Sequence, residues 1–178
     1  MRMTNKTKRL INYHRHKEKL KKATLNQAKK EKSVVYGARS IEAQVPGIFF
    51  RNTQDYDILS KKPKKSARVT KNNYNKIVSS NQFYTKQAMH KGTYKVMDKG
   101  MDFRKGTRDD FGVVDYTSIP KPAPRIKIIN GVRYRALSQE KKAKQKALKD
   151  KLFKFRHEKD RADYNSIVRY KRFKRKKK

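Results

Sequence analysis

Residues 34–59 read VVYGARSIEAQVPGIFFRNTQDYDIL. Val34, Val35 and Tyr36 predict a short buried strand that Gly37 ends, and ARSIEAQV predicts a brief helix stopped before Pro46-Gly47. The next strand is DYDIL, Asp55 to Leu59. Alternate side chains of a strand share a face, so Asp55 and Asp57 lie side by side while Tyr56 and Ile58 turn the other way. Two carboxylates that close repel each other unless a cation stands between them. A hard, oxygen-seeking ion such as Mg2+ takes one or two carboxylates together with phosphate oxygens. The glycine turn suits the same chemistry. Backbone N–H groups of Ala38, Arg39 and Ser40 at the start of a helix form an anion site by geometry and dipole.

Outward from this stretch the pattern alternates. Pro63 opens a helix, KKSARVTKNNYNKIV, with Ala67, Tyr74, Ile77 and Val78 as apolar positions. FYTKQAM and GTYKVMD read as strands, and FGVVDYTSI is an apolar strand that Pro120 closes. Asp115 is read as ending an apolar strand, where an acid is costly unless it serves something, so it is the third candidate carboxylate. RIKIINGVRYRAL places Asn130-Gly131 between alternating apolar residues and predicts a hairpin over 126–135. Ser138 is placed to cap a helix with Ala143, Ala147, Leu148, Leu152 and Phe155 at helical spacing, and a second helix over 159–170 offers Tyr164, Ile167 and Val168 to the core. Upstream, residues 5–31 are helical by propensity, but Leu10, Tyr13, Leu20, Leu25 and Ala28 make no continuous stripe, so this helix needs a partner, protein or phosphate backbone. The fold class is α+β (α/β-like), a mixed sheet with flanking helices.

Composition bounds the function. The 178 residues hold 51 Lys+Arg against 15 Asp+Glu, a formal net charge of +36. Such a chain attracts polyanions, above all RNA or DNA. The charge sits at the ends: net +10 over 1–32 and +13 over 136–178. The division is therefore a basic helical arm (1–32), a domain (33–170) and a basic tail (171–178). Arg9, Arg15, Lys21, Lys22, Lys171, Arg172, Lys174 and Arg175 are the candidate phosphate contacts of the two arms. With no cysteine there is neither a disulfide framework nor a thiolate metal site. The N-terminus has no apolar block behind its positive charge, and no stretch reaches transmembrane length; the expectation is a protein that is not secreted and not in a membrane, cytoplasmic or packed in a virus particle. His14 and His16, two apart on a helix, do not face each other, and His90 and His157 have no partner at ligand spacing. Of the ten tyrosines and eight phenylalanines, Phe49, Phe50, Tyr94 and Phe111 read as core.

Gly37-Ala38, Asp55-Tyr56-Asp57 and Asp115, in that order, resemble the nucleotidyltransferase fold of DNA polymerase β-like enzymes and of minimal, toxin–antitoxin-type and virus-encoded nucleotidyltransferases. Members share a glycine turn from strand to helix, Asp-x-Asp on the next strand and a third aspartate on a later one. The likeness covers about Val34 to Val168, including the downstream NGVRYRALSQEKKAKQKALKD and FRHEKDRADYNSI. It implies transfer of a nucleoside monophosphate from an NTP to a hydroxyl acceptor, with Mg2+ or Mn2+ held by Asp55, Asp57 and Asp115, and with Gly37, Ala38, Arg39 and Ser40 at the triphosphate. Ala38 departs from the usual second Gly or Ser; it keeps the backbone donors but brings no hydroxyl, and Ser40 is the nearest replacement. Each element also has an ordinary reading: Asp55 and Asp57 as a surface pair, Asp115 as a turn cap, Gly37 as a turn glycine. A different class of function stays open beside the enzyme, a catalytically inactive protein of this fold serving as a basic nucleic-acid-binding component of a virus particle or ribonucleoprotein.

Overall fold

The computed structural model describes residues 5–49, 53 and 55–176, and their side chains except those of 5–15 and 153. Seven strands form one mixed sheet: β1 (Val34–Tyr36), β2 (Tyr56–Ser60), β3 (Phe83–Gln87), β4 (Thr93–Asp98), β5 (Phe111–Ser118), β6 (Ile126–Ile129) and β7 (Val132–Arg135). Their order is β3-β4-β5-β2-β1-β7-β6. β2 runs parallel to β5 and antiparallel to β1, and β1 runs parallel to β7. This is the α+β architecture expected from the sequence.

One face of the sheet is covered by α1 (Asn5–Lys30) and α3 (Pro63–Val78). Strand alternation points Tyr56, Ile58, Val114 and Tyr116 at these helices, and all four are buried. Tyr74 of α3 meets Phe83 edge to face at 5.0 Å between ring centroids. Residues of this size contribute about 1.5–3 kcal/mol each when fully buried. The partner that α1 needs is α3 of the same chain. Leu20, Thr24 and Ala28, spaced by four, are buried along the seam. Polar groups close it: Thr24 Oγ1 pairs with the Tyr74 hydroxyl, and Gln27 donates to Ser66 O at 2.9 Å and accepts from Thr70 Oγ1 at 2.8 Å. The second half of residues 1–32 is thus part of the core, and its missing apolar stripe is explained by buried Thr24 and Gln27.

Beside β1 and β2, α2 (Ala38–Gln44), α4 (Leu137–Lys149) and α5 (His157–Lys176) form a second, smaller cluster. Ile41, Val45 and Ile167 are its buried centre, with Phe49, Leu137 and Tyr170 packed around them. The hairpin forms as its Asn-Gly requires, Asn130 and Gly131 both at positive φ (51° and 78°). Tyr94 and Phe111 pack partly buried against the main core; Phe50 lies outside the described residues.

Three expectations need correction. Ser138 does not cap α4: the helix starts at Leu137 after Ala136, with no side-chain cap. Leu152 and Phe155 do not continue its apolar stripe but stand 83% and 84% exposed. The Asp150 side chain accepts the Leu152 N–H at 3.0 Å, diverting the backbone into a separate 3-10 turn, Lys151–Arg156. Residues 171–176 are not a loose tail, because α5 runs to Lys176, with Glu158 and Asp160 in its first turn and Lys174, Arg175 and Lys176 in its last, the charge order a helix dipole favours. Among the described residues no helix is long and apolar enough to cross a membrane.

Candidate active site

Gly37 leaves β1 at φ 69° and ψ −146°, a backbone region essentially reserved for glycine. A Cβ here would stand 2.6 Å from Asp57 Oδ2. The glycine turn and the second acid of Asp-x-Asp, twenty residues apart in sequence, are therefore one contact.

Pairing across the sheet extends that contact into a row. Tyr36 on β1 is opposite Asp57 on β2, Asp57 opposite Asp115 on β5, and Asp115 opposite Lys95 on β4. Because side chains alternate, the row lies on the face turned away from α3. Asp115 stands within β5, not at its end, and its Oδ2 is held by Lys95 Nζ at 2.8 Å. Asp55 precedes β2, is exposed, and accepts from Thr53 Oγ1 at 3.2 Å. Burial, then the charges of Asp55 and Asp115, push the Asp57 carboxyl up from 3.8 to about 7. Tyr36, donating to or accepting from Thr117 Oγ1 at 3.5 Å, is pushed up to about 12, first by burial and then by Asp57.

Behind the turn lies an ion network that the sequence did not announce. Glu140 of α4 is fully buried and accepts the Gly37 N–H at 2.9 Å. Arg135, at the end of β7, grips the same carboxylate with Nε at 2.9 Å and Nη2 at 2.6 Å and lies over the Tyr36 ring at 5.0 Å. Burial raises the Glu140 carboxyl while Arg135 and the Gly37 N–H draw it back. One turn further along α4, Lys144 reaches Asp160 at 2.7 Å and Asp163 at 2.6 Å on α5. Its charge, with that of Arg156, also opposes the rise at Asp57. Glu140, Arg135 and Lys95 are the site residues missed in the sequence; the only signals were a Glu soon after the hairpin and a Lys in a strand, neither of which reveals its partner.

The other proposed residues separate into two groups. Ala38 is buried beside Gly37. Arg39 is tied to Glu42 at 2.9 Å, to the Thr53 carbonyl at 2.6 Å and to the Tyr56 ring at 4.7 Å, and the Ser40 hydroxyl donates to Arg135 O at 2.9 Å. Both side chains serve the fold, which leaves the first-turn backbone N–H groups as donors by helix geometry. Lys22, Lys171, Arg172, Lys174 and Arg175 are exposed, and Lys21 sits 3.9 Å from Glu18. The side chains of Arg9 and Arg15 lie outside the described residues. Among the described residues no three His, Asp or Glu side chains gather as a ready metal set.

The sequence matches no protein-family model and no curated protein. The fold does match solved structures. The Megavirus polyadenylate synthase superposes on 87% of this chain with a TM-score of 0.68 at 14% identity. This chain spans 31% of that protein's length. JHP933 from Helicobacter pylori matches 75% of the chain, over 56% of its own length, with a TM-score of 0.49 at 17% identity. The chain has the nucleotidyltransferase fold.

Proposed function

We propose that the chain transfers a nucleoside monophosphate from an NTP to a hydroxyl acceptor associated with nucleic acid. The observation that carries this reading is the pairing of Asp57 with Asp115 against the Gly37 turn. A divalent cation fits the donor chemistry here, since Asp55 and Asp57 offer oxygens whose mutual repulsion a cation relieves. Asp55 and Asp57 would hold Mg2+ or Mn2+, with Asp115 beside them. Such an ion supplies charge stabilisation for the α-phosphate and the departing pyrophosphate. The chain's own part is to orient and to move one proton. The N–H groups of Ala38, Arg39 and Ser40 at the start of α2 steady the triphosphate, and Asp115 receives the acceptor hydroxyl's proton as the hydroxyl oxygen bonds to the α-phosphorus and pyrophosphate leaves. The exposed cations of α1 and α5 bind the acceptor's phosphates.

Two contacts favour the second reading, a non-catalytic nucleic-acid-binding component of a virus particle or ribonucleoprotein. The Gly37 N–H is already taken by Glu140, and one oxygen of Asp115 by Lys95. The deciding experiment is incorporation of α-labelled ATP, CTP, GTP and UTP, with Mg2+ or Mn2+, into an RNA pool and into the protein itself, beside an Asp55→Asn/Asp57→Asn variant. Label transferred by the wild type and lost in the variant establishes the enzyme. No transfer, with equal salt-sensitive RNA binding by both, establishes the binding role.

A further inference from the structure

On the side of the sheet opposite the carboxylates, the first turns of α3 and the ends of β3, β4 and β5 frame a cavity of about 540 Å3, lined by Lys62, Lys64, Lys65, Arg68, Gln87 and Tyr94 among others. A second cavity, about 800 Å3, opens between α1 and α3, shares Lys62 and Lys65, and adds Lys30 and Lys61. The two share a wall and form one groove around the start of α3. Among the described residues its only acid is Glu31, and both Glu31 oxygens are occupied, one by Gln27 Nε2 at 3.1 Å and one by Ser66 Oγ at 2.6 Å.

The groove gathers its cations without ion-pairing them. Arg39, Lys95, Arg135, Lys144 and Arg156 each have a carboxylate partner. None of the six groove cations, Lys30, Lys61, Lys62, Lys64, Lys65 and Arg68, is paired with a carboxylate of the described residues. Helix α3 has no acidic residue in its first turn and no side-chain cap, so the helix dipole adds to the field and does not offset it. Six like charges around a concavity repel one another, and an extended polyanion removes that cost.

We infer that this groove binds a single strand of nucleic acid, holding its phosphodiester backbone on the α3 cations and one base on Tyr94. Charge complementarity specifies a polyanion, and the length of two joined cavities exceeds what one phosphate group would need. Tyr94 specifies a single strand: its ring is only half-buried and lines the groove wall, where an unpaired base stacks and a paired one does not. The inference rests on the nucleic-acid association of the proposed function, not on catalysis, and it assigns the contact to the folded core in addition to the terminal helices.

The test is fluorescence anisotropy with a labelled RNA of about 20 nucleotides, long enough for more than one typical site, and with its duplex, between about 50 and 300 mM salt. Lys62→Ala/Lys65→Ala/Arg68→Ala is compared with Lys121→Ala/Arg125→Ala/Lys127→Ala, which removes the same charge from exposed positions outside the groove, α1 and α5. At about 0.7 per phosphate contact, the groove variant lowers the slope of log affinity against log salt by about 2 and weakens binding about 50-fold at 0.15 M salt, whereas the control variant loses less than tenfold. Tyr94→Leu, which keeps an apolar body on the core, weakens the single strand at least about fivefold and leaves both the slope and duplex binding unchanged. Equal losses in the two triple variants, or a single strand indifferent to Tyr94→Leu, overturn the inference while nucleic-acid association stands. A wild type that binds neither probe overturns that association as well.

Discussion

Asp57→Asn is expected to stabilise the protein at neutral and alkaline pH while removing a residue of the candidate site. The Asp57 carboxyl is raised from 3.8 to about 7 by burial and by Asp55 and Asp115. The folded state therefore favours the protonated acid. That advantage is complete below pH 3.8 and is lost as pH rises through about 7. At about 1.4 kcal/mol per pH unit the interval corresponds to about 4 kcal/mol, and the partial exposure of the side chain reduces this to about 2 kcal/mol. Asparagine is neutral throughout and avoids the loss. In a chain of this size about 2 kcal/mol appears as a rise of about 4–8 °C in Tm. Urea and thermal unfolding of both proteins at about pH 8 and about pH 4.5 isolate the effect, because other acid-sensitive groups cancel in the difference. The gain should be present at the higher pH and nearly absent at the lower. Added Mg2+ should raise the wild-type Tm at the higher pH and leave the variant's unchanged. A variant less stable than the wild type at the higher pH, or equally stabilised at both, refutes the reasoning that Asp57 is held against its own charge.

Gly37→Ala is expected to lower Tm more than Gly106→Ala: both sit at positive φ, but the new methyl meets Asp57 only at position 37 and open space at 106. Thermal unfolding of the two variants reads the difference. Glu140→Ala is expected to cost about 3–5 kcal/mol, measured by urea unfolding, because it leaves the guanidinium of Arg135 and the Gly37 N–H without their buried acceptor. Lys95→Met should change stability by no more than about 1 kcal/mol, since the pair is part-exposed. It should strengthen Mn2+ binding several-fold in calorimetry by freeing Asp115; unchanged binding would remove Asp115 from the metal-holding set.

The sequence by itself determined the local elements and the order of the acids. Gly37 and Pro46 bound β1 and α2, Pro63 starts α3, and Asn130-Gly131 makes the hairpin, because each of these residues restricts its own backbone whatever surrounds it. The row that the tertiary structure assembles was half legible. Asp55 and Asp57 could be named from their Asp-x-Asp spacing, and Asp115 because an aspartate is costly in an apolar strand. Lys95 could not, since its partnership depends on the register of β4 against β5. Glu140 and Arg135 were invisible for a related reason: a buried carboxylate looks like any surface glutamate until a chain segment 103 residues away offers it the Gly37 N–H. The same holds for α1, whose seam with α3 runs through Thr24 and Gln27, residues that carry no periodic apolar signal and become core only when Tyr74 and Thr70 meet their hydrogen bonds. Local backbone preference is written residue by residue, whereas the partner of a buried polar group exists only once the sheet has set its register.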